Sequence, residues 1–195
     1  MSGLEVTIDT TAIAAMAAQL GAIPTKIRPA IRMALNDTGD RTRTPMKKAL
    51  VVQTGLKPRV VAAAVKTKRA TNGDLTYRMS SRGGNIRLKY FGARETAQGV
   101  SAAPRSARRV FAGTFMRAGF WPKRVVKPNW NGQVFRRVGG KTKSGQDKFE
   151  VVRSGVFIPQ EMITGATAAA FHTTSARVLP ERLAHHLARA MGGGS

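Results

Sequence analysis

The sequence contains no cysteine and only ten acidic residues, against 33 lysines and arginines. Without a thiol the chain forms no disulfide, no thiolate metal site and no cysteine nucleophile. No apolar run approaches the roughly 18 residues of a membrane span. Glu5 and Asp9 stand where a secretory signal carries positive charge. These absences predict a soluble protein that neither crosses a membrane nor is exported by such a signal.

The shortage of acids leaves a formal net charge of +23. No acidic residue lies between Asp40 and Asp74, and none lies between Glu95 and Asp147. Like charges on a folded chain repel each other, and a polyanion or an acidic partner relieves that repulsion. The charge therefore predicts assembly with other proteins or contact with nucleic acid.

Length and composition predict one domain over residues 1–191, followed by a flexible tail at 192–195. Hydrophobic residues make up 42% of the chain, enough for a packed core. The pattern predicts an α+β fold with a central, mostly antiparallel sheet, long β-hairpins, flanking N-terminal and C-terminal helices, and mobile loops or arms.

Helices are predicted in the first third of the chain. A short strand through Leu4, Val6 and Ile8 precedes a helix that begins at Thr10 or Thr11 and ends near Gly21. A second helix runs from about residue 27 to about residue 50, with a kink or break expected at Gly39 and Pro45. A shorter helix covers residues 57–65, because a proline suits its first turn.

The middle of the chain predicts hairpins. Alternating residues 75–79 and 86–90 flank the turn sequence 82–85, which indicates one hairpin. A basic excursion follows at about 99–131, with a short strand at 110–115. Strands at 134–138 and 149–152 enclose a mobile tip at 139–148. Two helices are expected to close the chain, one at 164–176 and one that begins at Pro180.

Candidate catalytic and metal sites fail on spacing. Gly140-Lys141-Thr142 lacks the earlier glycine of a phosphate-binding loop, because Phe135 occupies that place. The adjacent His185 and His186 point about 100° apart on a helix and do not chelate one metal together. Asp37 and Asp40 are interpreted as local charge balance with Arg41 and Arg43 rather than as a catalytic pair. We expect no enzyme activity, no metal and no cofactor.

Basic and aromatic residues alternate in the excursion. The mixture resembles surfaces that hold single-stranded nucleic acid, and it equally suits a protein interface, where arginine and tryptophan act as anchors. No motif that reads bases is present, so any DNA contact is expected to be non-specific and made to phosphates. Candidate interface anchors are Phe111, Phe115, Trp121 and Trp130.

Four stretches, in order, resemble the prophage minor tail protein Z family of long-tailed bacteriophages. They are Ile23-Pro24 leading into Ala34-Leu35-Asn36-Asp37-Thr38; Phe91-Gly92-Ala93-Arg94 followed by Gly99-Val100-Ser101; Gln133-Val134-Phe135-Arg136-Arg137; and Phe149-Glu150-Val151-Val152 leading to Gly155-Val156-Phe157-Ile158-Pro159-Gln160. Leu179-Pro180-Glu181-Arg182-Leu183 then begins a closing helix. We expect Phe91 to end a strand and Ile158-Pro159 to leave one. Residues 106–132 do not correspond to a family pattern.

The resemblance implies a structural virion protein at the head-proximal end of the tail, made in the host cytoplasm and acting late in assembly. It implies a closed ring of identical subunits, with a hexamer preferred, that contacts neighbouring tail and head-tail connector proteins. A positive lumen would hold the DNA end non-specifically. Candidate contacts to DNA or an acidic partner are Arg105, Arg108, Arg109, Arg136, Arg137, Lys141 and Lys143.

Two other functions stay open at this point. A non-specific DNA-binding protein of a phage or mobile element is the second hypothesis, and it predicts a DNA affinity that falls steeply with salt. An enzyme is the third, and it would require a pocket in which titratable residues converge.

Overall fold

The computed structural model describes residues 4–7 and 27–192, and it confirms the α+β class. Its helices are α1 (Arg28–Thr54), α2 (Pro58–Ala64), α3 (Ile158–Met162) and α4 (Gly165–Gly192). The helix expected between Thr10 and Gly21, and residues 193–195 of the predicted tail at 192–195, lie outside the described residues. Gly192, also expected in the tail, is the last residue of α4. No described helix combines the length and the apolar character needed to cross a bilayer.

Helix α1 is unbroken through Gly39 and Pro45, so the expected kink or break is wrong as a division of the helix. Pro29 occupies the first turn, where a missing N–H costs nothing. One face of the helix is buried along its whole length, and this packing outweighs the single hydrogen bond that Pro45 removes. Gly55 ends the helix in the left-handed conformation, with φ of 75°.

Helix α4 is also continuous, which corrects the prediction of two helices divided before Pro180. It runs antiparallel to α1, because Gln53 near the end of α1 contacts Thr167 near the start of α4, whereas Asp37 contacts His186 near its end. The two long helices pack against each other more extensively than any other pair of described elements. Phe171 and Val178 are buried hydrophobic residues of α4.

The first sheet is antiparallel with the order β1-β3-β2, formed by β1 (Leu4–Thr7), β2 (Val65–Lys68) and β3 (Arg78–Ser81). The predicted strand at the start of the chain is confirmed over Leu4–Thr7. The predicted hairpin across residues 82–85 is wrong: β3 is paired on both edges by β1 and β2, so no edge is left for residues 86–90. Those residues turn instead into a 3₁₀ helix at Leu88–Phe91.

Two further antiparallel sheets replace the single central sheet that was expected in the described part of the chain. Strands β4 (Arg94–Thr96), β5 (Gly99–Ala102) and β6 (Arg109–Ala112) form one, in that order. Strands β7 (Thr114–Phe115), β8 (Phe135–Lys141) and β9 (Asp147–Val151) form the other. The predicted strand at 110–115 is therefore divided between β6 and β7. The predicted hairpin is confirmed, but its strands extend into the expected tip and leave a turn at 142–146.

Two expectations attached to the family resemblance are also corrected. Phe91 ends a 3₁₀ helix rather than a strand, and Gly92 follows it in the left-handed conformation. Ile158 and Pro159 begin helix α3, where the proline again occupies the first turn. Phe91, Ile158 and Pro159 are all buried. They therefore pack in the core and do not terminate the edge of a sheet.

Tyr77 fills the core beside α1. Its ring lies face-on against Gly39, since a Cβ at that glycine would stand 2.4 Å from three ring carbons. The buried hydroxyl donates a hydrogen bond to Asp40 Oδ1 (3.0 Å), and Asp40 Oδ2 pairs with Arg69 (3.0 Å). Arg43 Nη1 lies 4.0 Å from the same carboxylate, so the expected balance of Asp40 with Arg43 is present alongside a stronger pair with Arg69.

We predict that Gly39→Ala destabilises the protein. The methyl group overlaps the Tyr77 ring, and overpacking of this kind costs about 1–3 kcal/mol, more than the ~1 kcal/mol that alanine gains over glycine in a helix. Thermal unfolding should show a lower Tm for Gly39→Ala and little change for the exposed control Thr44→Ala. Equal melting of the two variants would contradict the face-on contact.

Burial, reinforced by the charge of Asp40, raises the pKa of Tyr77 to about 12. A phenol whose pKa is higher in the folded state stabilises the fold fully below its ordinary pKa near 10 and loses that contribution as the pH rises toward 12. We predict that the stability difference between the wild type and Tyr77→Phe is constant up to about pH 10 and shrinks above it. Chemical denaturation across this range measures it. Tyr90→Phe, at an exposed position, is the control, and a difference that does not depend on pH would refute the assignment.

Candidate interaction surface

The hairpin of β8 and β9 extends from the body as an arm, defined here as residues 136–150. Every residue of the arm is exposed, and this includes Val138 and Phe149. The strands pair antiparallel from Phe135↔Val151 to Lys141↔Asp147, with a register shift between Arg137 and Lys141. A strand pair with both faces in solvent has little burial to stabilise it and is well suited to bind a partner.

Four of the predicted cationic contacts lie together on the arm. Arg137 and Lys141 both pair with Asp147, and the hydrogen bond and charge of Lys141 keep the pKa of that carboxyl below its ordinary value. Arg136 stands opposite Glu150 in the strand register. Lys143 lies in the turn, and no ionic partner for it occurs among the described residues. The tip therefore presents cations at the far end of the arm.

An aromatic cluster holds the base of the arm. The rings of Phe115, Trp130, Phe135 and Phe149 all lie within 4.9–6.0 Å of one another, centroid to centroid. Phe115 is only 5% exposed, so its place as an interface anchor is corrected: its ring is already occupied inside the chain. Phe149 is 43% exposed and continues the cluster to the surface.

Arg137 covers one side of this cluster. Its guanidinium carbon lies 4.9 Å from the Phe115 ring centre and 5.6 Å from that of Phe120. Phe120 is 78% exposed, more than any other large hydrophobic residue described. The arrangement joins a cation to an exposed ring, the combination that both nucleic-acid and protein interfaces use.

Arg105 is exposed, but its guanidinium group is engaged by other residues of the chain. It forms an ion pair with Glu161 (Nη2 to Oε1, 3.0 Å) and donates to the carbonyl oxygen of Gly155. Gln53 donates to the other oxygen of Glu161 (2.8 Å) and accepts from the backbone N–H of Thr167, close to the start of α4. The predicted contact of Arg105 with DNA or an acidic partner therefore competes with a pair that joins α1, α3 and α4.

Arg109 is the first residue of β6 in the second sheet, and Arg108 directly precedes it. Arg108 donates to the carbonyl oxygens of Gly92 and Ser101, so it links the two ends of the β4–β5 region. Arg109 stacks on Phe111, with its guanidinium carbon 4.8 Å from the ring centre. Phe111 is half-buried against the core, whereas the arginine side chains are exposed.

Glu95 fastens the loop that carries Trp121. Its side chain is buried, accepts a hydrogen bond from the backbone N–H of Met116 (3.1 Å), and pairs with Arg124 and more distantly with Arg117 (3.7 Å). Trp121 is 51% exposed and lines a small cavity next to Glu95. Of the predicted anchors, Trp121 is therefore the one with most free surface.

The structure thus places the arm residues and Arg109 at the surface, whereas Phe111 packs partly against the core and Arg105 and Phe115 are engaged in contacts within the chain. Sequence reasoning missed Phe135 and Phe149 as partners of Phe115 and Trp130. Of these contacts, only that of Phe115 with Phe135 is between directly paired strand residues. Sequence reasoning also assigned Asp37 to a local arginine, whereas its carboxylate meets His186 Nε2 at 2.8 Å. No cluster of three or more potential metal ligands occurs in residues 4–7 or 27–192.

Comparison of the chain with protein-family models, with curated proteins and with solved structures finds no match.

We predict that Glu95→Gln loosens the loop of residues 116–125. The substitution leaves Arg124 with a neutral partner, and the loss of a charged hydrogen bond corresponds to about tenfold or more in local opening. In limited trypsin digestion, Glu95→Gln should be cleaved after Lys123 and Arg124 faster than the wild type. Glu150→Gln, which removes an exposed carboxylate from the arm, is the matched control. Identical cleavage rates for Glu95→Gln and the wild type would contradict the role of Glu95.

Proposed function

We propose that this chain is a structural virion protein of a long-tailed bacteriophage: a minor tail or tail completion component that forms a ring near the head-proximal end of the tail. In that place it helps head-tail joining or DNA positioning, with neighbouring tail and connector proteins as its partners and with no catalysis. Six-fold symmetry is preferred because it matches the usual symmetry of such tails. The order of family-like stretches along the sequence is one support for the proposal.

The exposed arm is the structural observation that carries it. A two-stranded ribbon without a covered face gains little from its own burial, so its exposed apolar and cationic side chains call for a second surface. A neighbouring subunit or tail protein supplies such a surface in a closed ring, where every copy offers one arm and receives another. The aromatic cluster fixes the base of the arm and leaves the outer part free to bind.

Non-specific DNA binding is the second candidate function. Arg137 beside exposed Phe120 supports it, because cations and aromatic rings together hold nucleic acid without reading its sequence. The two functions differ in assembly: a ring protein forms a discrete oligomer that persists in moderate salt, whereas a DNA-binding protein of lower order loses affinity steeply as salt rises.

We predict that Val138→Asp reduces assembly. It places a carboxylate on the exposed apolar part of the arm without touching the core, so folding is retained while the arm loses its partner. Mass measurement of the purified protein at low and moderate salt should show a ring-sized oligomer for the wild type and smaller species for the variant. Val52→Asp makes the same change at an exposed valine of α1 and is the matched control.

In a phage that carries this gene, Val138→Asp should lower the ratio of infectious to total assembled particles. Neutralising the cations in pairs, beginning with Arg136 and Arg137, tests the contribution of charge by the same ratio. A wild-type protein that stays monomeric in the presence of tail components, or unchanged infectivity of the arm variants, would overturn the proposal.

A further inference from the structure

We propose that Arg87, Lys89 and Arg153 form a phosphate-binding cluster that takes a backbone phosphate of DNA at the base of the arm. None of the three belongs to the cationic residues that the sequence pointed to. The inference refines DNA positioning within the proposed function, and it can be tested separately from ring formation.

The backbone forces Arg87 and Arg153 together. They are paired residues of an antiparallel bridge, flanked by hydrogen bonds from Leu88 N to Val152 O (3.1 Å) and from Ser154 N to Ile86 O (2.8 Å). This pattern is the narrow, non-hydrogen-bonded type, in which opposite Cα atoms are about 4.5 Å apart and side chains are closest. Like charges in such positions destabilise a sheet unless something negative lies between them.

Lys89 joins the same group through Gln133. With the amide of Gln133 oriented so that its oxygen faces the cations, that oxygen accepts hydrogen bonds from Arg87 Nη1 (2.9 Å) and Lys89 Nζ (3.0 Å). One acceptor atom thus holds two cationic groups close to each other. Val152 N donates to Val134 O, which continues the β8–β9 register and places Gln133 across from Arg153.

The acceptors that face the cluster are all neutral. Arg153 donates to the carbonyl oxygen of Asn85 (3.1 Å), and Lys89 donates to that of Asn131 (3.1 Å). Among the described residues, no carboxylate lies within ion-pair distance of any of the three cations. Elsewhere the scarce acids do find cations: Glu161, Glu95 and Asp147 each pair with at least one arginine. The cluster is therefore a concentration of positive charge left without compensation.

A phosphate group fits this arrangement. Guanidinium groups donate two parallel N–H bonds to phosphate oxygens, and two of them side by side can grip one group while Lys89 adds a point charge. The arm continues the surface, since Arg137, Phe149 and Arg153 alternate onto one face of the sheet by their register. Arg137 stands opposite Phe149 on this face, and Arg153 follows further along the same face. Cations at two positions on one face suit the repeated charges of a DNA backbone better than an isolated ion.

The test compares Arg87→Gln/Arg153→Gln with the wild type and with Arg177→Gln/Arg189→Gln. The control removes the same charge from exposed positions of α4. Binding of two fluorescent DNA duplexes of unrelated sequence is measured over a range of salt concentrations. We expect the cluster variant to bind both about tenfold more weakly and the slope of log K against log salt to fall by about one to two. The control should lose less than half as much.

Thermal unfolding with inorganic phosphate, at matched ionic strength, supplies a second reading. Phosphate should raise the Tm of the wild type and the control but not that of the cluster variant. Without phosphate the variant should melt close to the wild type, because relief of the repulsion offsets the lost hydrogen bonds to Gln133 and Asn85. A substantially lower Tm of the cluster variant would mean that the two arginines stabilise the fold. An equal loss of DNA affinity in the cluster variant and the control would mean that only net charge matters. Competition by an acidic polypeptide as strong as by DNA would make protein the ligand. Each of these results overturns the proposal.

Oligomer mass, recorded on the same samples, separates the two proposals. A wild type that fails to form a ring but loses phosphate binding on Arg87→Gln/Arg153→Gln defeats the tail proposal and keeps the cluster. A ring that forms normally and binds DNA equally well in all variants defeats the cluster alone. Arg153→Gln by itself is a second, milder variant, and it should reduce the salt slope by about one.

Discussion

Glu161 joins parts of the chain that are far apart in sequence, and the ends of the two long helices meet at it through Gln53. It lies on α3, receives Arg105 from the second sheet region and Gln53 from the end of α1, and through Gln53 it reaches the start of α4. A buried carboxylate is costly unless its oxygens are satisfied, and here each oxygen has a partner. The same contacts fix the antiparallel alignment of α1 and α4 that covers the core.

Other acidic residues, like Glu161, form contacts that join separate parts of the chain. Asp40 joins α1 to Arg69 and Tyr77, Glu95 fastens the loop of residues 116–125, and Asp147 neutralises cations on the arm. The chain has ten carboxylates for 33 lysines and arginines. Carboxylates that join elements of the fold are not available to neutralise positive charge elsewhere on the surface. The net charge follows from composition, whereas the placement of the acids decides where positive charge stays unbalanced, as at Arg87 and Arg153, where cations face one another.

The sequence predicted local periodicity well and predicted partners poorly. The short helix after Lys57, the strand at Leu4–Thr7 and the hairpin of β8 and β9 follow from proline position and alternation, which act within a few residues. The division of helices at Pro45 and Pro180 was wrong because long-range packing between α1 and α4 overrides a local penalty. The pairing of β3 with β1 and the ion pair of Arg105 with Glu161 each join residues 50 or more positions apart, and no local pattern encodes such contacts.

Positive charge favours a polyanion as partner, whereas exposed apolar surface favours a protein. The arm carries both features. Its cations attract any polyanion at a distance, but Coulomb attraction between exposed groups weakens within about 10 Å at ordinary salt, so it selects neither position nor copy number. Val138, Phe149 and the aromatic base demand a matching apolar surface, which DNA backbone does not offer. In the proposed ring, a protein neighbour would cover the apolar part of the arm and leave the cations at its base and tip open to phosphate. Under that proposal, contact with both partners at once would explain why one hairpin combines features that would be redundant for either alone.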